Sequence, residues 1–147
     1  MAHIKNLGGQ TDLQWIMNAD ASVGPNSYNR WGDVMLVQVF MNSLLAPLGL
    51  RDPAGRPITS YLRLDGLFGT KSKDAILGYQ KNARARGLVV AVDGLISPSN
   101  STGWTRQNNQ FTIVHINRDY LRTFGKMLDP NDLPAELRKF FPLDPRS

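Results

Sequence analysis

Two stretches of this chain carry the same marks in the same order. The first runs Val37-Gln38, Gly49-Leu50, then Asp65-Gly66-Leu67-Phe68-Gly69. The second runs Tyr79-Gln80, Gly87-Leu88, then Asp93-Gly94-Leu95-Ile96-Ser97. Each reads as a helix, a Gly-Leu stop, and an Asp-Gly turn followed by two apolar residues. Gln38 precedes Asp65 by 27 positions and Gln80 precedes Asp93 by 13, so the first copy carries a 14-residue insertion. A unit this short has too little apolar surface to fold alone. Two copies therefore share one core, which a third helix must close.

Periodicity fills in the elements. Asp33 is the expected N-cap of a first helix, with Val34, Val37, Met41, Leu44 and Leu45 on one stripe and Pro47 ending it. Thr70 is the expected N-cap of a second helix, with Ser72, Ile76, Tyr79 and Ala83 on one face and Gly87 just past its end. A third covers about Thr112 to Met127, with Ile113, Ile116, Tyr120 and Phe124 in line. The expected fold is all-α, a compact three-helix bundle over 33–127. Residues 1–32 read as an irregular arm packed on the core. There Leu13, Trp15 and Met17 alternate with polar residues and Ile16 breaks the pattern, which allows one short strand or an extended segment. Residues 48–69 read as a long loop anchored by apolar side chains. The tail, 128–147, holds four prolines and a short helix near Ala135–Phe141.

Reactive residues are scarce. The chain has no Cys, two His (His3 and His115) and one Glu, Glu136. The absence of Cys excludes a disulfide scaffold, a Cys-ligated metal and a Cys nucleophile. A zinc hydrolase needs three protein ligands, mostly His, and a glycosidase needs two placed carboxyls. A non-catalytic binding module without cofactor or metal is the expectation, and His115, beside Ile113 and Ile116, is given no ligand role. No apolar run approaches the ~18 residues of a membrane helix. The opening Met-Ala-His-Ile-Lys-Asn-Leu lacks the apolar core of a secretory signal, so any export is expected to use another route.

The formal charge is +5. The excess sits in residues 51–86, where eight bases face Asp52, Asp65 and Asp74. Such a field attracts anionic polymers. Nucleic acid is disfavoured as the partner, because no recognition motif accompanies the charge.

Asp65-Gly-Leu-Phe-Gly-Thr-Lys-Ser-Lys-Asp-Ala-Ile-Leu-Gly-Tyr-Gln80, followed by Gly87-Leu88 and Asp93-Gly94, resembles the peptidoglycan-binding domain family. That family reads Val-x-x-Leu-Gln, then Asp-Gly-x-Phe-Gly-x-x-Thr, Ala-Val-x-x-Phe-Gln, Gly-Leu and a second Asp-Gly. Here the first helix has Val34-Met-Leu-Val-Gln38. The resemblance spans about Asp33 to Pro98. Ser97 stands where the family has Gly, and the loop before Asp65 is long. The segments Ser22–Asn29 and Phe111–Asn117 resemble extensions around such modules in bacterial effector-type proteins. The resemblance implies a three-helix fold that holds cell-wall glycan or stem peptide. It also implies work at the cell envelope or outside it, after cytoplasmic synthesis and delivery by a secretion or phage-tail-like apparatus.

The candidate groove lies between helix two and the first Asp-Gly turn. Its candidate residues are Tyr61, Arg63, Asp65, Phe68, Lys71, Tyr79, Arg84 and Trp104. Arg63, Lys71 and Arg84 suit stem-peptide carboxylates. Trp104, in a polar loop, suits stacking on a sugar ring. Asp65 is first of all a turn residue, and Tyr79 shares the core stripe of its helix. The competing reading is a protein-docking part that reuses the fold, with the N- and C-terminal arms wrapping a partner.

Overall fold

The computed structural model describes residues 2–9, 11–100, 102–139 and 141. Its elements in order are strands β1 (His3–Asn6) and β2 (Trp15–Asn18), then helices α1 (Trp31–Leu44), α2 (Thr70–Ala85), α3 (Thr112–Phe124) and α4 (Ala135–Arg138). A 3-10 turn at Pro130–Asp132 precedes α4. Phe140, Pro142 and Pro145 of the expected tail lie outside the described residues.

The fold is mixed α/β and corrects the all-α three-helix expectation. β1 and β2 pair antiparallel, with Ile4 opposite Met17 and Lys5 opposite Ile16. β1 reads His-Ile-Lys-Asn, too polar to signal a strand, and its backbone pairing with β2 across the 7–14 connection leaves no mark in its own side chains. Ile16 broke the alternation because both faces of β2 are covered: Ile16 and Met17 are both fully buried. The backbone of β2 is also held from α3. The Asn117 side chain accepts the Met17 N–H at 2.9 Å and donates to the Met17 carbonyl at 3.0 Å, as a neighbouring strand would.

α1 is the central element. Met35, Leu36, Val39 and Phe40 are buried along with the expected stripe, so the helix is wrapped on all sides. It begins at Trp31, and Asp33 is not its cap. The Asp33 carboxylate is buried and accepts the N–H groups of Asp20 (3.0 Å) and Ala21 (3.1 Å), pinning the arm to α1. Burial pushes its carboxyl above the ordinary value. At α2, Gly69 is the N-cap and Thr70 the first helical residue. α3 stops at Phe124 because Gly125 takes φ +73°, a left-handed cap. Val37, Met41, Ile76, Ile113 and Ile116 meet in one core, joined by Leu7, Leu13, Ile16, Leu133 and Leu137 from the two arms. Phe40 meets Tyr120 edge-on, with centroids 5.9 Å apart.

The echo is structural. Leu50 N–H reaches the Leu45 carbonyl (2.9 Å) and Gly49 N–H the Ala46 carbonyl (3.1 Å). Leu88 and Gly87 make the same pair of bonds to Ala83 (3.1 Å) and Arg84 (3.0 Å). Part of the 14-residue insertion lengthens the run from Gln38 to Gly49 by about one helical turn. The rest is a loop that closes on itself through an Arg51–Pro57 bridge and the Asp52 N–H to Arg56 carbonyl bond of 2.8 Å. The loop presses on α2 at Gly78, where a Cβ would stand 2.4 Å from the Arg51 carbonyl oxygen. Gly78→Ala, which in an open helix gains about 1 kcal/mol, is therefore expected to destabilise by about 1–2 kcal/mol. Urea unfolding checks this, and a stabilised variant would contradict it.

Candidate functional site

Each Asp-Gly turn is built by a glutamine from the preceding helix. At the first, Gln38 Nε2 donates to Asp65 Oδ1 (3.2 Å) and the Leu67 carbonyl (3.1 Å), while Gln38 Oε1 accepts the Gly66 N–H (3.0 Å). At the second, Gln80 Nε2 donates to Asp93 Oδ1 (3.2 Å) and the Leu95 carbonyl (3.0 Å), and Gln80 Oε1 accepts the Gly94 N–H (2.8 Å). In both, the Asp accepts the N–H two residues on, at 2.9 Å. Gly66 and Gly94 sit at φ +70° and +73°, where a side chain is strained. The Leu67 N–H, with help from the Gln38 amide and the Arg63 charge, holds the Asp65 carboxyl below its ordinary value.

The two turns differ in what covers them. Val23 bridges Ile96 through paired backbone bonds of 2.9 and 2.8 Å, so the arm lies across the second turn. At the first turn Trp31 packs against Gly66, but the far side is open and Leu67 is 69% exposed. Between it and the start of α2 lies a groove of about 310 Å³ lined by Arg63, Asp65, Leu67, Phe68 and Lys71. Arg63 and Lys71 are exposed and make no ion pair among the described residues.

Four of the eight candidate residues thus come together: Arg63, Asp65, Phe68 and Lys71. Asp65 faces the groove but is committed to its own turn. Tyr61, 72% exposed, lies next to the lining residue Leu62 in the chain and does not itself line the groove. Tyr79 is a correction: it is fully buried and donates its hydroxyl to Asp119, so it cannot meet a ligand. Arg84 lines a different groove, beside the second turn. Trp104 is half-buried and bridges Gln110 at the base of a short turn, away from both walls of the first groove.

Sequence reasoning missed a polar layer on α3. Arg86 clasps Asp119 with two bonds of 2.8 Å, joining Tyr79 on the same carboxylate. His115 Nδ1 lies 3.1 Å from Arg118, whose guanidinium also grips Asp12 of the arm with both oxygens engaged. Burial, then the Arg118 charge, pushes the His115 imidazole down to about 4. The available signal was the i, i+3, i+4 spacing of His115, Arg118 and Asp119 on one helical face; their partners are remote in sequence. None of the three lines either groove. Among the described residues, no buried side-chain nitrogen or oxygen lacks a partner, and no group of three or more His, Cys, Asp or Glu could hold a metal. None of the helices among them is long and apolar enough to cross a membrane.

Compared with known proteins, the chain matches no family model, no curated protein and no solved structure.

Proposed function

We propose that the chain is a non-catalytic module that binds bacterial peptidoglycan through the groove at the first Asp-Gly turn. One observation carries the reading. Two cations without ion-pair partners among the described residues, Arg63 and Lys71, flank a groove whose apolar wall is Leu67 and Phe68. Stem peptides present carboxylates beside aliphatic carbons. Arg63 supplies a planar fork for a carboxylate and Lys71 a mobile point charge. The Gln38 clip holds the wall rigid, so little ordering is needed on binding. The motif from Asp33 to Pro98 supports the same ligand, and with it work at the cell envelope.

Docking through wrapped arms has less support. The arms bury Leu7, Leu13, Ile16, Leu133 and Leu137 in the shared core. Tyr28, 80% exposed, is the large hydrophobic side chain that the N-terminal arm leaves open among the described residues.

Co-sedimentation with purified sacculi at low salt tests the proposal. The chain is expected in the pellet, and Arg63→Ala/Lys71→Ala is expected to cut the bound affinity at least about tenfold, the effect of ~1.4 kcal/mol. Recovery of the unmodified chain in the supernatant would refute peptidoglycan binding. Undiminished binding by the double variant would remove the groove from it.

A further inference from the structure

We propose that the groove between the Asp93–Ser97 turn and the 105–110 turn is a second binding site, one that takes a neutral carbohydrate segment. It measures about 420 Å³, within the roughly 300–1,000 Å³ of small-molecule sites. One wall comes from the second repeat. The other, residues 105–112, lies beyond the repeated segment, so the site goes further than the peptidoglycan reading of the first groove and does not rest on it.

The chemistry of the wall selects the ligand. Asn18, Gln38, Asn42, Gln80 and Asn117 each commit both ends of their amide to backbone or side-chain groups elsewhere in the fold. The side chains of Gln107, Asn109 and Gln110, which line this groove, make no hydrogen bond among the described residues. Three uncommitted carboxamides offer paired donors and acceptors, matching ring hydroxyls or acetamido groups. Thr112 opens α3 in the same wall, and no side chain caps that helix, which leaves further N–H donors without intrahelical partners. Apolar surface is present too: Val89 is 65% exposed, with Leu95 and Phe111 half-buried beside it, suited to the C–H face of a sugar ring. Arg84 is the one cation in the lining, and Asp93 is held by Gln80 and the Leu95 N–H. An uncharged ligand therefore fits better than an ionic one.

The wall is also preformed. Thr105 N–H donates to the Asn109 carbonyl (2.6 Å), Asn108 N–H to the Thr105 carbonyl (3.0 Å), and Asn109 N–H to Thr105 Oγ1 (3.2 Å). The Trp104–Gln110 bridge closes the turn at its base. Trp104 thus anchors the wall and does not stack on the ligand. Preorganisation of this kind lowers the ordering cost of binding.

Titrating the full 15N-labelled chain with chitotetraose and, separately, cellotetraose tests the site. Saturable shifts are expected in the backbone amides of 93–97 and 105–112 with at least one of the two sugars. Response to chitotetraose alone supports the site and narrows it to N-acetylated sugars. Gln107→Ala/Asn109→Ala is expected to weaken binding at least about fivefold, and Val89→Asp, which charges the apolar wall, is expected to do the same. Arg63→Ala/Lys71→Ala is expected to leave sugar affinity unchanged even where sacculus binding falls, which separates this site from the first groove. No shifts in either segment with both sugars at tens of millimolar would overturn the proposal, as would shifts confined to 59–71 or full affinity in both groove variants.

Discussion

Replacing Gln80 by alanine is expected to lower the unfolding free energy by about 4 kcal/mol. Gln80 is fully buried, and its amide makes four bonds to the second turn: two donated, to Asp93 and Leu95, and two accepted, from the Asp93 and Gly94 N–H groups. Its removal strands the buried Gly94 N–H and the Leu95 carbonyl, each costing roughly 1–3 kcal/mol when unpaired. It also leaves a cavity. For a chain of this length the loss corresponds to a fall in Tm of about 10–15 °C. Gln80→Glu is no rescue, because a carboxylate can accept the two N–H bonds but has nothing to donate to Asp93 and Leu95. Gln38→Ala is expected to cost less, about 3 kcal/mol, because the Leu67 carbonyl it frees belongs to an exposed residue that water can reach, while the Gly66 N–H is stranded in the interior as Gly94 is. It should also weaken ligand binding at the first groove, since Gln38 shapes its wall. Thermal unfolding of the three variants decides the matter: a Gln80→Ala protein melting close to the parent would show that the turn holds without its clip.

Acidification from pH 6.5 to 4 is expected to remove about 3 kcal/mol through His115. The side chain is 7% exposed, and burial, reinforced by the charge of Arg118 and more weakly that of Arg86, pushes it down to about 4; Asp119 and Asp12 act in the opposite sense. Between the two values the unfolded chain binds the proton and the folded chain does not. The stability is thus complete above about 6.5 and lost progressively as pH falls towards 4. Asp33 works the other way. Its raised carboxyl contributes stability present at low pH and lost as pH rises through its folded value. The measured curve is the sum of such groups, so a second protein isolates the imidazole. His115→Gln keeps an acceptor for Arg118 and cannot titrate. Urea unfolding of both proteins at pH 7, 5.5 and 4.5 is expected to give a steep decline for the parent and a flatter one for the variant. Parallel curves would mean that His115 carries none of the acid sensitivity.

Both predictions concern polar side chains inside the fold, where this chain departs from what its pattern announces. The duplicated helix, Gly-Leu stop and Asp-Gly turn were legible because they rest on local rules: a period of 3.6, a left-handed glycine after a helix, an aspartate bonding the N–H two residues ahead. The shared core of Val37, Met41, Ile76, Ile113 and Ile116 followed from the same periodicity. The strand His3–Asn6 was not legible, since its pairing is a backbone contact with residues 15–18 and Ile4 is its one apolar side chain. Asp33 illustrates the limit in a single residue. Its type and place suit a cap, but burial and two distant N–H groups gave it another use.

The groove followed a similar division. Arg63, Asp65, Phe68 and Lys71 are close in sequence around one turn, so their meeting was implicit in the motif. Tyr79, Arg84 and Trp104 were assigned by residue type, and only tertiary packing could sort them: Tyr79 into the core on Asp119, Arg84 to the second groove, Trp104 to the base of a turn. By itself the sequence determined the repeated units and their caps, because those depend on neighbours within a few residues. The tertiary structure decided the sheet, the polar layer on α3 and which turn stays open, because each depends on hydrogen bonds and burial between segments beyond one another's local sequence.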